Sequence, residues 1–140
     1  MTANTLEKSI FLKAEPEKVW AYLTDPDCLA EWFHRPDHAL DNAGQHFKMC
    51  SDGGTAIIGE VLKAEAPTDL EYRFHVPPMG EQISTVKWRI DPVAGGCKLS
   101  LLHEGLPESA TAFPLILALD KGWDAHFTAM RDAFHQNLAA

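Results

Sequence analysis

Cysteine is scarce in this chain. Only Cys28, Cys50 and Cys97 occur among 140 residues, and no two form a Cys-x-x-Cys pair. An odd, dispersed set builds neither a disulfide framework nor a zinc ribbon, so reduced thiols acting as small apolar fillers are expected. Basic residues are also in short supply, twelve against twenty acidic ones, and the formal charge of −8 opposes nucleic-acid and anionic-membrane partners. Long apolar runs are missing. The longest, Phe113–Leu119, falls far short of the ~20 residues a membrane span requires. Residues Met1–Ile10 are polar, carry Glu7 and Lys8 and lack the apolar core of a signal peptide, so a cytoplasmic location is expected. Nucleophile elbow, phosphate loop and dinucleotide fingerprint are absent, because Gly53-Gly54 and Gly95-Gly96 lack the flanking pattern and read as hairpin turns. No cofactor is expected.

What the chain does have is an ordinary globular balance, 46% apolar and 23% charged, which at this length predicts one domain spanning residues 1–140. Residues Leu6–Ala14 alternate, with Leu6, Ile10, Leu12 and Ala14 on one parity and Lys8 and Phe11 as misfits; this is a half-buried strand. Pro16 then opens a short helix carrying Val19, Trp20 and Leu23, and Asp25-Pro26 opens a second with Leu29, Trp32 and Phe33.

Five further strands follow, Gln45–Cys50, Thr55–Glu65, Leu70–Val76, Ile83–Ile90 and Cys97–Glu104. Turn chemistry separates them at Ser51-Asp52-Gly53-Gly54, Ala66-Pro67-Thr68-Asp69, Pro77-Pro78-Met79-Gly80 and Asp91-Pro92-Val93-Ala94-Gly95-Gly96. These connections are too short for parallel crossovers, so sequential antiparallel pairing is predicted. Parity gives one apolar, aromatic face (Phe47, Met49; Tyr72, Phe74, Val76; Val86, Trp88, Ile90; Leu99, Leu101) and draws His103 toward it. Ile57 and Ile58 compete for that face.

The C-terminal stretch Phe113–Leu138 repeats apolar residues at Ile116, Leu119, Trp123, Phe127, Met130 and Phe134. Steps of three and four place them on one helical face. A helix from about Ala112 to Leu138 is long enough to cover a six-stranded sheet, and burying four of its large side chains favours docking by about 6 to 12 kcal/mol before entropy. Gly122 is the misfit, since a helix-interior glycine costs about 1 kcal/mol. The unbroken stripe predicts one continuous helix in which Gly122 permits a close approach or a bend.

Five fragments in this order resemble a known family: the segment from Ala14 through Glu15-Pro16-Glu17-Lys18-Val19-Trp20 to Pro26, then Glu31-Trp32-Phe33, Gly59-Glu60-Val61-Leu62, Leu102-His103-Glu104-Gly105 and Gly122-Trp123. Over nearly its whole length the chain is similar to the family named for the activator of Hsp90 ATPase homologue, within the START/Bet v 1-like superfamily. The resemblance implies an α+β helix-grip fold: a curved six- to seven-stranded antiparallel sheet wrapped around a long C-terminal helix, with two short helices after the first strand. It implies little shared catalytic chemistry and, for many members, binding of a small hydrophobic or aromatic molecule between helix and sheet. The co-chaperone that names the family carries an additional Hsp90-binding domain for which these residues leave no room, so Hsp90 is not the expected partner.

The residues expected to line such a cavity are Trp32, Phe47, Tyr72, Phe74, Trp88, Leu101, His103, Leu119, Trp123 and Phe127. Among seven histidines, His34 and His38 have a metal-compatible spacing, but Pro36 between them prevents the regular helix it needs, so no metal site is expected. His103 and Glu104 are adjacent on a strand and face opposite ways, which rules them out as a direct acid–base pair. An enzyme of lyase, cyclase or hydrolase type would depend on His103 alone, and would need a carboxylate, tyrosine or water beside it. A protein-interaction module and a homodimer through a sheet edge or the helical corner are the remaining alternatives.

Overall fold

A computed structural model describes residues 4–50, 54, 56–77, 83–107 and 110–135. Of the expected turns Ser51–Gly54 and Pro77–Gly80, residues 51–53 and 78–80 lie outside them, as does the helix tail from 136 to 138. Six strands form one antiparallel sheet: β1 (Asn4–Leu12), β2 (His46–Cys50), β3 (Ala56–Glu65), β4 (Asp69–His75), β5 (Ser84–Val93) and β6 (Gly96–Leu106). Three helices accompany them, α1 (Pro16–Thr24), α2 (Pro26–Trp32) and α3 (Phe113–His135), the last preceded by a 3-10 turn at Ala110–Ala112. This is the expected helix-grip architecture. None of these helices is long and apolar enough to cross a membrane.

Sequential pairing holds from β2 to β6, but the sheet order is β1-β6-β5-β4-β3-β2. The first strand therefore joins the last, Ile10 opposite Leu99 and Leu12 opposite Cys97. The corner formed by α1 and α2 accounts for this, because it carries the chain across the sheet before β2 begins. Asp25 makes the corner sharp: its carboxylate caps α2 by accepting from the backbone N–H of Asp27 (2.8 Å) and Cys28 (3.4 Å).

Alternation places one face of every strand against the helices. Phe47, Met49, Tyr72, Phe74, Val86, Trp88, Ile90, Leu99 and Leu101 are all buried. The contest on β3 goes to Ile57, 4% exposed against 50% for Ile58. Gly59 shares the parity of Ile57, and a Cβ there would stand 2.2 Å from the Arg73 carbonyl and 2.3 Å from the Phe47 ring. The glycine thus lets an aromatic side chain lie flat across the strand. The expected six-residue turn at Asp91–Gly96 is corrected to Ala94–Gly95, since β5 runs on to Val93 and Pro92 pairs with Cys97 beyond the end of β4.

Helix α3 is continuous through Gly122. Its buried stripe is Ile116, Trp123, Phe127 and Met130. Lys8, which broke the alternation of β1, has its explanation here: its Nζ lies 2.7 Å from Asp120 and 2.8 Å from Asp124, tying the edge strand to the helix. Burial by itself would lower the Lys8 pKa, but the bonds to the two carboxylates outweigh it and raise the value.

Candidate functional site: a recess beneath the first half of the long helix

Trp123 is the hub of the interior. Its ring stacks on Phe33 (5.3 Å between centroids) and meets Trp88 (5.6 Å) and His103 (5.9 Å) edge-on. Trp32 and Phe127 pack against Trp88 in turn. An indole N–H only donates, so the 3.0 Å contact from Trp123 Nε1 makes His103 Nδ1 an acceptor and leaves the ring proton on Nε2. That nitrogen donates to Ser84 Oγ at 2.7 Å, and Ser84 donates to the Phe74 carbonyl at 2.7 Å. The chain Trp123–His103–Ser84–Phe74 is closed at every step.

Burial drives the His103 pKa down to about 3, because nothing compensates a charge on the enclosed ring. Its two partners are an indole and a hydroxyl, with neither a carboxylate nor a tyrosine among them. A neutral imidazole with both nitrogens engaged has no proton to trade at neutral pH. Tyr72 is held the same way. Its hydroxyl accepts from Trp88 Nε1 at 3.0 Å, and burial raises its pKa.

Beside this packed hub lies a recess of about 280 Å³. Its roof is the α3 row Leu115, Ala118, Leu119, Gly122 and His126; its floor is Ile57, Phe74 and Val76; Phe33, His34 and Trp123 close the side. A Cβ at Gly122 would meet no heavy atom within 4 Å, so the glycine faces open space. Larger hollows of about 320, 360 and 430 Å³ also occur, with charged side chains among their lining residues: Glu60 and Arg73 in the first, Glu7, Glu71, Lys87 and Arg89 beside Trp88 and Leu101 in the second, and Lys8, Asp124 and Arg131 in the third. Charged groups at a wall make it a poorer seat for an apolar guest.

Three of the ten residues expected at a cavity wall, Phe74, Leu119 and Trp123, line the recess. The structure places Trp32, Trp88, Leu101, His103 and Phe127 behind Trp123 in the packed core, and Phe47 and Tyr72 in edge-to-face contact at 5.3 Å. Parity had put Val76 on the apolar face and Ile57 in contention for it, but neither was expected at the cavity wall; Phe33, His34, Leu115, Ala118, Gly122 and His126 are the further wall residues that parity and the main apolar stripe did not single out. One signal for them was available. Leu115, Ala118, Gly122 and His126 step by three and four, a second helical row beside the stripe, with its two smallest residues adjacent.

The family model for activator of Hsp90 ATPase homolog 1-like proteins matches residues 13–135. The chain belongs to that family. Among solved structures, a protein from Mesorhizobium loti is 23% identical with a TM-score of 0.84, covering 96% of this chain and 98% of its own. The Aha1 dimer from Colwellia psychrerythraea is 18% identical with a TM-score of 0.78, covering 94% and 96%. An HSP90 activator from Plasmodium falciparum is 23% identical with a TM-score of 0.65 over 75% of each chain. No curated protein matches. At these identities the likeness establishes the fold, and this family member's chemistry has to be read from its own recess.

Proposed function

We propose that this protein binds a small apolar or aromatic molecule in the recess between α3 and the sheet. The observation that carries the reading is the empty space over Gly122. Three ordinary reasons for a glycine fail there: its φ is not positive, no neighbour stands within 4 Å of a Cβ, and α3 runs through it without a break. An alanine would stabilise the helix by about 1 kcal/mol, so the missing side chain fits a position kept clear for a guest. Aromatic and aliphatic walls suit an apolar one. A dry apolar cavity of about 150 Å³ accepts benzene; about 280 Å³ in a recess that opens to solvent therefore suits a molecule of up to about three rings. The enzyme alternative loses its footing with His103, whose nitrogens are both engaged.

Titration with the neutral fluorescent probe N-phenyl-1-naphthylamine tests this. Wild-type protein is expected to bind it saturably at one site, and Gly122→Leu, which fills the recess, to weaken binding by about tenfold or more while melting no earlier. Absence of saturable binding, or equal binding by the variant, removes the reading. Native mass spectrometry of the purified protein then asks whether a cellular molecule is already seated. An Hsp90-linked role stands second, supported by the family's name and by the exposed side chains Phe113 and Leu117 one turn apart on α3; failure to retain Hsp90 in a pull-down would count against it.

A further inference from the structure

The two edges of the sheet are finished differently. On β2 the edge is closed: Asp37, in the loop after α2, donates its backbone N–H to the Lys48 carbonyl at 3.0 Å, and its carboxylate accepts from the Lys48 N–H at 2.8 Å. On β1 the edge is open. A Cβ on Gly96 would stand 2.2 Å from the Leu12 carbonyl oxygen, so that carbonyl faces β6, while the N–H of Lys13 turns the other way, to His135 Nε2 at 2.9 Å. Backbone groups alternate in direction from residue to residue along an antiparallel strand, and Leu6–Leu12 run in unbroken register against β6. The N–H and C=O groups of Glu7, Ser9 and Phe11 therefore point away from the sheet, and no described residue pairs with them there. Such a row is a template for another strand. An inward-pointing charge can guard an edge of this kind, but Lys8 is already held by Asp120 and Asp124.

The charges on the flanking helix select the occupant. Helix α3 runs beside β1 in the same direction, with Asp120 and Asp124 at Lys8 and His135 at Lys13. Two carboxylates share a single ammonium at Lys8, so that end is acidic. Further along, Arg131 lines the hollow beside Ser9 and Ile10 and makes no salt bridge with any described residue, so that end is basic. A surface acidic at one end and basic at the other complements itself when turned about a twofold axis. We infer that a second copy of this chain docks antiparallel on β1, with the axis at Ser9. Glu7 and Phe11 then pair with the second copy's Phe11 and Glu7, Ser9 pairs with its own counterpart, and the two sheets become one. The reversed direction brings Arg131 toward the second copy's Asp124, and the same contact forms twice. On the outer face the Phe11 side chain, 63% exposed, gains cover from the added strand.

Sedimentation equilibrium tests this, and the wild type is expected at twice the monomer mass. Ser9→Pro removes an outward N–H that β6 does not use, a change an edge strand tolerates. It should give a monomer with an unchanged far-UV circular dichroism spectrum. Arg131→Glu and Asp124→Lys each set like charges against each other at both contacts and should weaken the dimer about tenfold. An equimolar mixture of these two variants puts opposite charges back at both contacts, and the mixed dimer should regain wild-type affinity, a recovery that a merely destabilised variant would not show. A monomeric wild type at the highest soluble concentration overturns the inference and leaves the open edge to a strand from another protein. A dimer that survives Ser9→Pro places the contact on another face and overturns it as well. A mixture no tighter than its components overturns the axis at Ser9.

Discussion

Around Trp123 and around Gly122, one residue apart on α3, the interior is built in opposite ways. The Trp123 side is saturated: every ring has a neighbour within about 6 Å, and the polar atoms of Trp123, His103 and Ser84 are paired in sequence. The Gly122 side leaves about 280 Å³ unfilled and keeps its two imidazoles at the rim. The proposed function therefore assigns stability and binding to different faces of the same helical turn. A buried hydrogen-bonded chain tolerates little change, whereas a void can change its contents without disturbing the fold.

The largest effect that would break this contrast is expected at the packed side. Trp123→Ala removes a 2% exposed indole and leaves His103 Nδ1 without its donor. Cavity formation alone costs about 3–5 kcal/mol, and the orphaned acceptor adds about 1–3 kcal/mol. Urea denaturation is the measurement. A loss under about 2 kcal/mol would mean that the Trp123 side is as loosely filled as its neighbour.

Acid offers a second, somewhat smaller probe of the same side. The folded His103 pKa is about 3, whereas an unfolded histidine titrates near 6.5. Between these values the unfolded chain binds a proton that the folded chain refuses, so stability is greatest above about pH 6.5 and declines as the pH falls toward 3. The slope from this one group is about 1.4 kcal/mol per pH unit, or about 2 kcal/mol between pH 6.5 and 5. His103→Asn keeps an acceptor for Trp123 but has nothing to titrate. It should be less stable at pH 7 and lose less on acidification, and parallel stability–pH curves for the two proteins would refute the assignment.

Much of this contrast was visible in the residues before the fold was known. Period-2 alternation gave five strands their buried faces, because any register slip would have turned Phe74 or Trp88 outward. The 3.6-residue stripe located α3 and made Trp123 its centre. Parity alone could not tell which aromatic side chains touch each other and which border a void, since Phe47, Tyr72 and Phe74 carry the same pattern and only Phe74 reaches the recess. That depends on the angle at which α3 crosses the sheet and on where the loop after α2 delivers Phe33 and His34. Lys8 was illegible for a related reason: its partners Asp120 and Asp124 lie more than a hundred residues away. Gly122 was conspicuous as a helix defect, though its meaning required knowing that nothing stands opposite.

The smallest expected effect is also the one of opposite sign. Gly122→Ala adds one methyl group to open space and removes the conformational freedom of a helix-interior glycine, so the folded state should gain about 1 kcal/mol, a rise in Tm of roughly 4 °C. The same methyl group occupies the face against which a flat ligand would lie, and N-phenyl-1-naphthylamine affinity should drop even as stability rises. A more stable protein that binds less well is the signature of a position kept empty for a guest. Should Gly122→Ala instead destabilise the protein, the glycine would be serving the packing of α3, and the division between a filled face and an open one would fail at the residue that defines it.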